Sequence, residues 1–583
     1  MILRLAKCIR EYKKDAIITP ILVAVECAFE VIIPLIMAKL IDYGIDSGDM
    51  GAVWKYGIIL LLAAIVSLAG GVGAGMTAAN ASAGFAKNLR HDMFYNVQTF
   101  SFANIDKFST GSIITRLTTD IGNVQMAFQM IIRGAARAPL MLIFSLVAAF
   151  SINAKLAMVF IATVPFMAIA LAIIMKKTFP VFEKMFKTYD GLNNRVGENL
   201  HGIRVVKIFV QEQSEIKRFK DTSETIFKMG SRAEKNIAYN LPVMQSCVYF
   251  SLLFISWFGA RAIVASGGDP VLGMSTGQLM SMLSYVMQIM MALMFLSMIF
   301  VMVTIAKTSA DRICELLDEK STLTNCENPV FDIPDGSISF KNVAFSYYDD
   351  ENKLALKNIT IDIPSGETVG IIGGTGSGKS SFVQLIPRLY DVTDGSVEVG
   401  GRDVREYDIE ALREEVAMVL QKNELFSGTV RSNLLWGDKE ATDDEIRKAC
   451  ELAQAQEFID RMEQGYDTPI EQGGTNVSGG QKQRLTIARA LLRKPKILIL
   501  DDSTSAVDVG TDALIRKAFR EEIPNTTKLI IAQRISSVQD ADRIIVMDEG
   551  GINAVGTHDE LLNSCEIYRE IYESQMKGGI GDE

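Results

Sequence analysis

Thr368-Val369-Gly370-Ile371-Ile372 runs straight into Gly373-Gly374-Thr375-Gly376-Ser377-Gly378-Lys379-Ser380-Ser381, and this stretch decides the reading of the second half of the chain. The first five residues are short and largely apolar, as a buried parallel strand is. GxxxxGK[ST] follows at once and leads into a helical segment, the context that gives the motif its meaning. Its glycines let backbone N–H groups turn inward around phosphate oxygens. Lys379 sets a point charge on the β- and γ-phosphates, Ser380 offers a hydroxyl to Mg²⁺, and the following helix directs its positive end at the anion. A second apolar run, Ile497 to Leu500, ends in Asp501, a carboxylate that binds Mg²⁺ directly or through water. Phosphate loop and strand-end carboxylate together imply a nucleoside-triphosphate hydrolase.

Working back toward the N-terminus, the character of the chain changes. Hydrophobic residues make up 49% of 583, near the soluble average, but long apolar runs crowd the first three hundred or so. A bilayer-spanning helix needs about 20 mostly apolar residues. Six stretches qualify: roughly 16–41, 56–80, 134–153, 156–175, 241–266 and 278–306. Turns after the first, third and fifth are short and poor in basic residues. Loops after the second and fourth, about 81–133 and 176–240, are long, helical in period and rich in Lys and Arg. The positive-inside rule then puts both termini, the long loops and the nucleotide domain in the cytoplasm. Residues 1–15 carry Arg4, Lys7, Arg10, Lys13 and Lys14 among Ile, Leu and Tyr, which predicts a basic amphipathic helix on the cytoplasmic membrane face rather than a cleaved signal. Gly111–Val124 and Gly202–Phe219, at the far ends of the long loops, are expected to meet the soluble half.

Two features inside the spans are candidate cargo contacts. Glu26 and Glu30 stand one turn apart on span one, where a charge costs on the order of 2.5–3.5 kcal/mol unless a cavity or partner receives it. Packing between helices is the competing reading. On span six, Met287, Met291, Met294, Met298 and Met302 form one stripe. Flexible, polarisable thioethers suit a surface that must fit many apolar shapes, although ordinary helix packing also uses them. The two features lean toward hydrophobic, cationic cargo.

Other classes are excluded. Net charge is −10 and no basic cluster with interleaved aromatics occurs, so nucleic acid is not an expected partner. Cys8, Cys27, Cys247, Cys314, Cys326, Cys450 and Cys565 contain no CxxC pair and read as free thiols. Glycosylation-like triplets at Asn80, Asn358, Asn476 and Asn525 fall at an inner membrane edge or in the soluble half and read as chance matches.

The boundaries that follow are an N-terminal helix 1–15, a transmembrane domain 16–318, a polar connector 319–335, a nucleotide domain 336–575 and a tail 576–583. Between phosphate loop and Asp501 stands Val477-Ser478-Gly479-Gly480-Gln481-Lys482-Gln483-Arg484. This segment resembles the signature of ATP-binding cassette (ABC) proteins, with Val477 where Leu is usual. The whole chain is similar to bacterial ABC exporter half-transporters of the multidrug and lipid type, with Ser309-Ala310-Asp311-Arg312-Ile313 before the connector. The fold implied is an α-helical six-span transmembrane domain with long cytoplasmic helical extensions, joined to an α/β P-loop nucleotide-binding domain. The resemblance also implies ATP and Mg²⁺ as cofactors, Tyr347 stacked on adenine, and Gln421 as the loop glutamine that senses Mg²⁺ and the membrane domain. Ser505-Ala506-Val507-Asp508 matches the loop that crosses the cassette dimer interface, and Ser478 to Gln481 would close over a partner's nucleotide. The setting implied is a bacterial plasma (inner) membrane.

Two positions depart from that pattern. After Asp501 the family has Glu, which positions the attacking water; here it is Asp502, one methylene shorter. At the expected γ-phosphate histidine stands Gln533, which hydrogen-bonds but carries no positive charge. Gln472 is a softer departure where an acidic residue is common. A poor site of its own beside an intact signature implies a heterodimer with a second half-exporter moving amphipathic drugs, lipids or peptides. A homodimeric lipid or peptide exporter, and an ATP-gated channel or regulator, are the alternatives.

Overall fold

A computed structural model describes residues 2–266, 274–347, 353–502 and 507–578. The predicted turn around 267–273, residues 503–506 of the interface loop and the tail from 579 lie outside them. The chain divides into two compact units, Met1–Gln98 with Thr110–Glu319, and Thr99–Ser109 with Lys320–Glu583.

Among the described residues the first unit holds six helical segments long and apolar enough to cross a membrane: Arg10–Ile45, Met50–Gln98, Thr110–Ile152, Ala154–Phe182, Glu212–Ala265 and Thr276–Asp318. Met50–Gln98 is one continuous helix. At 1.5 Å per residue it measures about 74 Å, more than twice the hydrocarbon thickness, so the apolar spans continue well beyond the bilayer as helices. The N-terminal segment is broken rather than a single helix: Ile2–Lys7, a 3₁₀ turn at Arg10–Tyr12, then the helix of span one from Lys13.

Span one seats on span six through backbone carbonyls, one of which Pro34 frees. Proline has no N–H for the carbonyl one turn back; the Glu30 carbonyl instead accepts from Gln288 Nε2 at 3.4 Å. Tyr285 donates its hydroxyl to the Val31 carbonyl at 2.7 Å, and Ser281 to that of Pro34 at 2.6 Å. Near the C-terminal end of span one, a Cβ on Gly277 would stand 2.3 Å from the Ala38 carbonyl oxygen, so only glycine allows this approach. Span two meets span one along Gly70, Ala74, Ala78 and Ala81, all buried, the small-residue packing that lets helices touch in lipid.

Gly111–Val124 belongs to the membrane unit. Arg116 pairs with Glu315 at 2.8 Å, and Asp120 accepts from Ser309 at 2.7 Å. Gly202–Phe219 likewise belongs to the membrane unit. The segment that joins the cassette unit is Thr99–Ser109. Ser101 and Asn104 form a reciprocal cap on the helix Phe102–Phe108. Asn104 then donates to the Lys320 carbonyl at 3.0 Å, and the Tyr390 hydroxyl donates to Asp106 at 2.9 Å.

The second unit has a four-stranded antiparallel sheet in the order Leu356–Ile363, Ile338–Phe345, Asp394–Val399, Arg402–Asp403. A six-stranded, mainly parallel sheet runs Gly551–Gly556, Arg543–Asp548, Thr368–Gly373, Thr527–Ile531, Ile497–Asp501, Val416–Val419. Ile497–Asp501 and Thr527–Ile531 are buried at every position, which explains their unbroken apolar pattern. Ile531 aligns with Ile371 on one side and Asp501 on the other. The register therefore brings the ends of three strands, and the loops that leave them, to one edge of the sheet.

Candidate nucleotide site

The phosphate loop leaves its strand at Gly373 with φ +156, and Gly376 and Gly378 hold φ +81 and +94, values that β-carbon residues rarely adopt. A Cβ at Gly376 would meet nothing within 4 Å, so the loop's rim is open. Gly378 precedes the helix that starts at Lys379 and caps it with no side chain, leaving first-turn N–H groups for an anion. Lys379 folds back across the loop, donating to the carbonyls of Gly373 at 2.9 Å and Gly374 at 2.7 Å. Burial holds its ammonium below the usual lysine range, opposed by the charges of Asp502 and Asp501.

Ser380 Oγ donates to Asp501 Oδ1 at 3.0 Å. A hydroxyl and a carboxylate side by side are hard oxygen donors, the set Mg²⁺ takes from protein while phosphates and water complete its shell. Burial pushes the Asp501 carboxyl above its ordinary range, opposed by the Ser380 hydrogen bond. A cation at that point would restore the ionised form.

Asp502, buried and with φ +48, sits between two amides. Gln533 Nε2 donates to Asp502 Oδ2 at 2.6 Å, and Gln421 Nε2 reaches the same oxygen at 3.3 Å. Gln533 gets there because it follows the strand Thr527–Ile531, which lies between those carrying the phosphate loop and Asp501. Tyr347 is part-exposed; its hydroxyl is 2.8 Å from Ser381 Oγ, and its ring meets Tyr390 edge-on.

The structure thus gathers the phosphate loop, Asp501, Asp502, Gln421, Gln533 and Tyr347. Ser478, Gly479, Gly480 and Gln481 stand apart: among the described residues no hydrogen bond joins them to this group. Ser478 caps the helix Gly479–Leu492, and the Gln481 side chain reciprocates in a capping box. Asp508 caps the helix Val509–Glu522, accepting from Thr511 N at 2.9 Å, and this bond lowers its carboxyl below the ordinary range.

In the membrane unit, the sequence reading missed Arg137. Its guanidinium pairs with Glu26 and, at 2.8 Å, with Glu30. The acidic pair is therefore bridged from span three by one guanidinium, which offsets one of its two charges. The available signal was an arginine four residues into that span's apolar run. Met287, Met291, Met294 and Met298 lie on the exposed face of span six, while Met282, Val286 and Met290 fill its buried face.

Six membrane helices joined to a P-loop domain with a carboxylate at the end of the next strand but one define an ATP-hydrolysing membrane transporter. The chain belongs to the ABC transporters, matching the ABC transporter transmembrane region over residues 16–293 and the ABC transporter ATP-binding family over 356–505. It is 36% identical over 97% of both chains to the uncharacterized ABC transporter ATP-binding protein YfiB of Bacillus subtilis (strain 168). It is 32% identical, over 84% of both, to the ATP-dependent lipid A-core flippase of Desulfotalea psychrophila (strain LSv54 / DSM 12343). Its fold matches a bacterial Atm1-family ABC exporter with ATP bound at a TM-score of 0.82, covering 97% of this chain and 99% of that one at 23% identity. It is a multi-pass membrane protein whose ATP hydrolysis drives transport.

Proposed function

We propose that this chain is one half of an exporter that moves amphipathic compounds outward by alternating access, and that its own nucleotide site is the poorer of two. One observation supports this most: Asp502, where a glutamate would place water, is shorter and already engaged by Gln533 and Gln421. Its carboxylate sits about 1.5 Å further back than that of Glu. One of its two oxygens is thus taken up by amides, and Gln533 brings no charge to the γ-phosphate. The Ser478–Gln481 turn keeps its capped geometry, which suits it to close over ATP held by a second half-exporter.

In this reading ATP with Mg²⁺ at Lys379, Ser380 and Asp501 closes the two cassettes, and hydrolysis, mainly at the partner's phosphate loop, resets them. The nucleotide domain and both termini face the cytoplasm, as the basic loops direct. The lipid A-core flippase among the relatives supports an amphipathic cargo. The test is phosphate release by the purified complex. Asp502→Asn should alter it little, whereas Ser478→Arg should nearly abolish it. Brisk turnover by this chain alone as a homodimer, eliminated by Asp502→Asn, would overturn the poorer-site reading.

A further inference from the structure

In the Glu26–Arg137–Glu30 cluster one guanidinium bridges two carboxylates, so Arg137 is already committed to carboxylate partners. The cation beside it is different. Arg133 lies one turn before Arg137, and both line a pocket of about 410 Å³ with Gln129 and the apolar Met126, Met130 and Phe295. Arg133 is half-buried, and among the described residues it has no carboxylate or hydrogen-bond partner. Two guanidiniums, only one of them ion-paired, thus face a pocket whose other walls are mainly apolar, a setting that favours an anion over a cation.

Room for a ligand is built into the helices. Span two presents Gly75, whose absent Cβ would come within 3.5 Å of Arg133 Nη1. Phe295 comes so close to Gly134 that a Cβ there would stand 2.9 Å from its ring. Phe295 shares the exposed face of span six with Met291 and Met298, by helical spacing and by exposure. The pocket is therefore continuous with the methionine stripe. A cation at one end and an adaptable apolar strip leading away match an ion with a negative head and an apolar tail.

We propose that Arg133 binds the anionic head of an amphipathic ligand, a carboxylate or phosphate, whose apolar body lies along Phe295, Met291 and Met298. This deepens the export reading and rests on it for calling the ligand a cargo. Arg133 stands just before span three and Gly75 near the end of span two, the level where the positive-inside reading places the inner headgroups. The ligand is either a bilayer phospholipid or a water-soluble amphiphile, and both present the same chemistry.

The experiment uses the full transporter in phosphatidylcholine nanodiscs, with a dansyl-labelled undecanoate as probe. Arg133→Gln should weaken probe binding by about 10- to 100-fold, the loss of one charge-assisted contact, while Arg133→Lys keeps most of it. Dodecyl phosphate should displace the probe and dodecyltrimethylammonium should not, a comparison on the unaltered protein that needs no folded variant. Discs containing phosphatidylglycerol assign the source. Weaker probe binding there, lost in Arg133→Gln, supports a lipid headgroup; unchanged binding supports a soluble amphiphile. Equal affinity in Arg133→Gln, or displacement by the cation as effective as by the anion, overturns the proposal. Intact Arg133-dependent binding without ATP-driven accumulation in inverted vesicles would instead sink the export reading alone.

Discussion

Restoring Asp502→Glu together with Gln533→His should turn the poorer site into an efficient one. Lengthening the side chain by one methylene advances the carboxylate about 1.5 Å, and a misplacement of roughly 1 Å costs ~100-fold in rate. Replacing Gln533 also removes the 2.6 Å bond to Asp502 Oδ2 and supplies an imidazole that can carry positive charge toward a γ-phosphate. Turnover at this site should therefore rise on the order of 100-fold. One opposing effect is backbone strain: φ is +48 at position 502, a region that Asp tolerates better than Glu. The cost there is a fraction of the 1–2 kcal/mol typical of left-handed residues, too small to cancel the gain. The assay is phosphate release by a purified complex whose partner carries an inactivated phosphate loop, so that only this site is read. No increase in the double variant, with ATP still bound, would refute the argument that carboxylate reach and amide engagement limit this site.

Arg137→Leu should destabilise the membrane unit by about 3–5 kcal/mol, because it strands two paired carboxylates in a buried setting; adding Glu26→Gln and Glu30→Gln should recover most of the loss in thermal melts of the detergent-solubilised protein. Gly134→Ala should cost about 1–3 kcal/mol through overpacking against Phe295 and Ile299, with partial relief from Phe295→Leu in the same melts. Asp501 titrates above the ordinary carboxylate range in the folded chain, so the folded state holds its proton to higher pH than the unfolded state and loses stability as pH rises through that window. Asp501→Asn should accordingly stabilise the nucleotide-free protein, with a difference that grows from acidic pH and levels off toward neutrality. Melts without Mg²⁺ check this, and a difference that shrinks with rising pH would contradict the sign. Lys379→Ala should remove most ATP affinity at this chain's own site, read by nucleotide binding to the intact complex, since the phosphates lose their nearest cation.

The sequence by itself determined the two-unit plan. Spans are legible because a bilayer demands some 20 apolar residues in a row, and the phosphate loop because its glycines and lysine serve a local backbone shape. Asp501 was legible for the same reason: a fully buried strand is apolar to its end, so a terminal carboxylate stands out. Asp502 and Gln533 could be marked as departures, residue by residue, against a known pattern. What only the tertiary structure decided is which distant residues meet. That Gln533 and Gln421 both reach one oxygen of Asp502 follows from strand order, since Thr527–Ile531 inserts between two strands far from it in sequence. The cassette-side segment Thr99–Ser109 was overlooked because a short capped helix carries little periodicity. Glu26 and Glu30 read as an open acidic pair until Arg137, over a hundred residues away, was brought against them. Periodicity reports which face of a helix a residue occupies; it carries no information on which helix lies opposite. In a membrane, where every helix surface is apolar, that choice is made by close packing and by the few polar groups that must find partners.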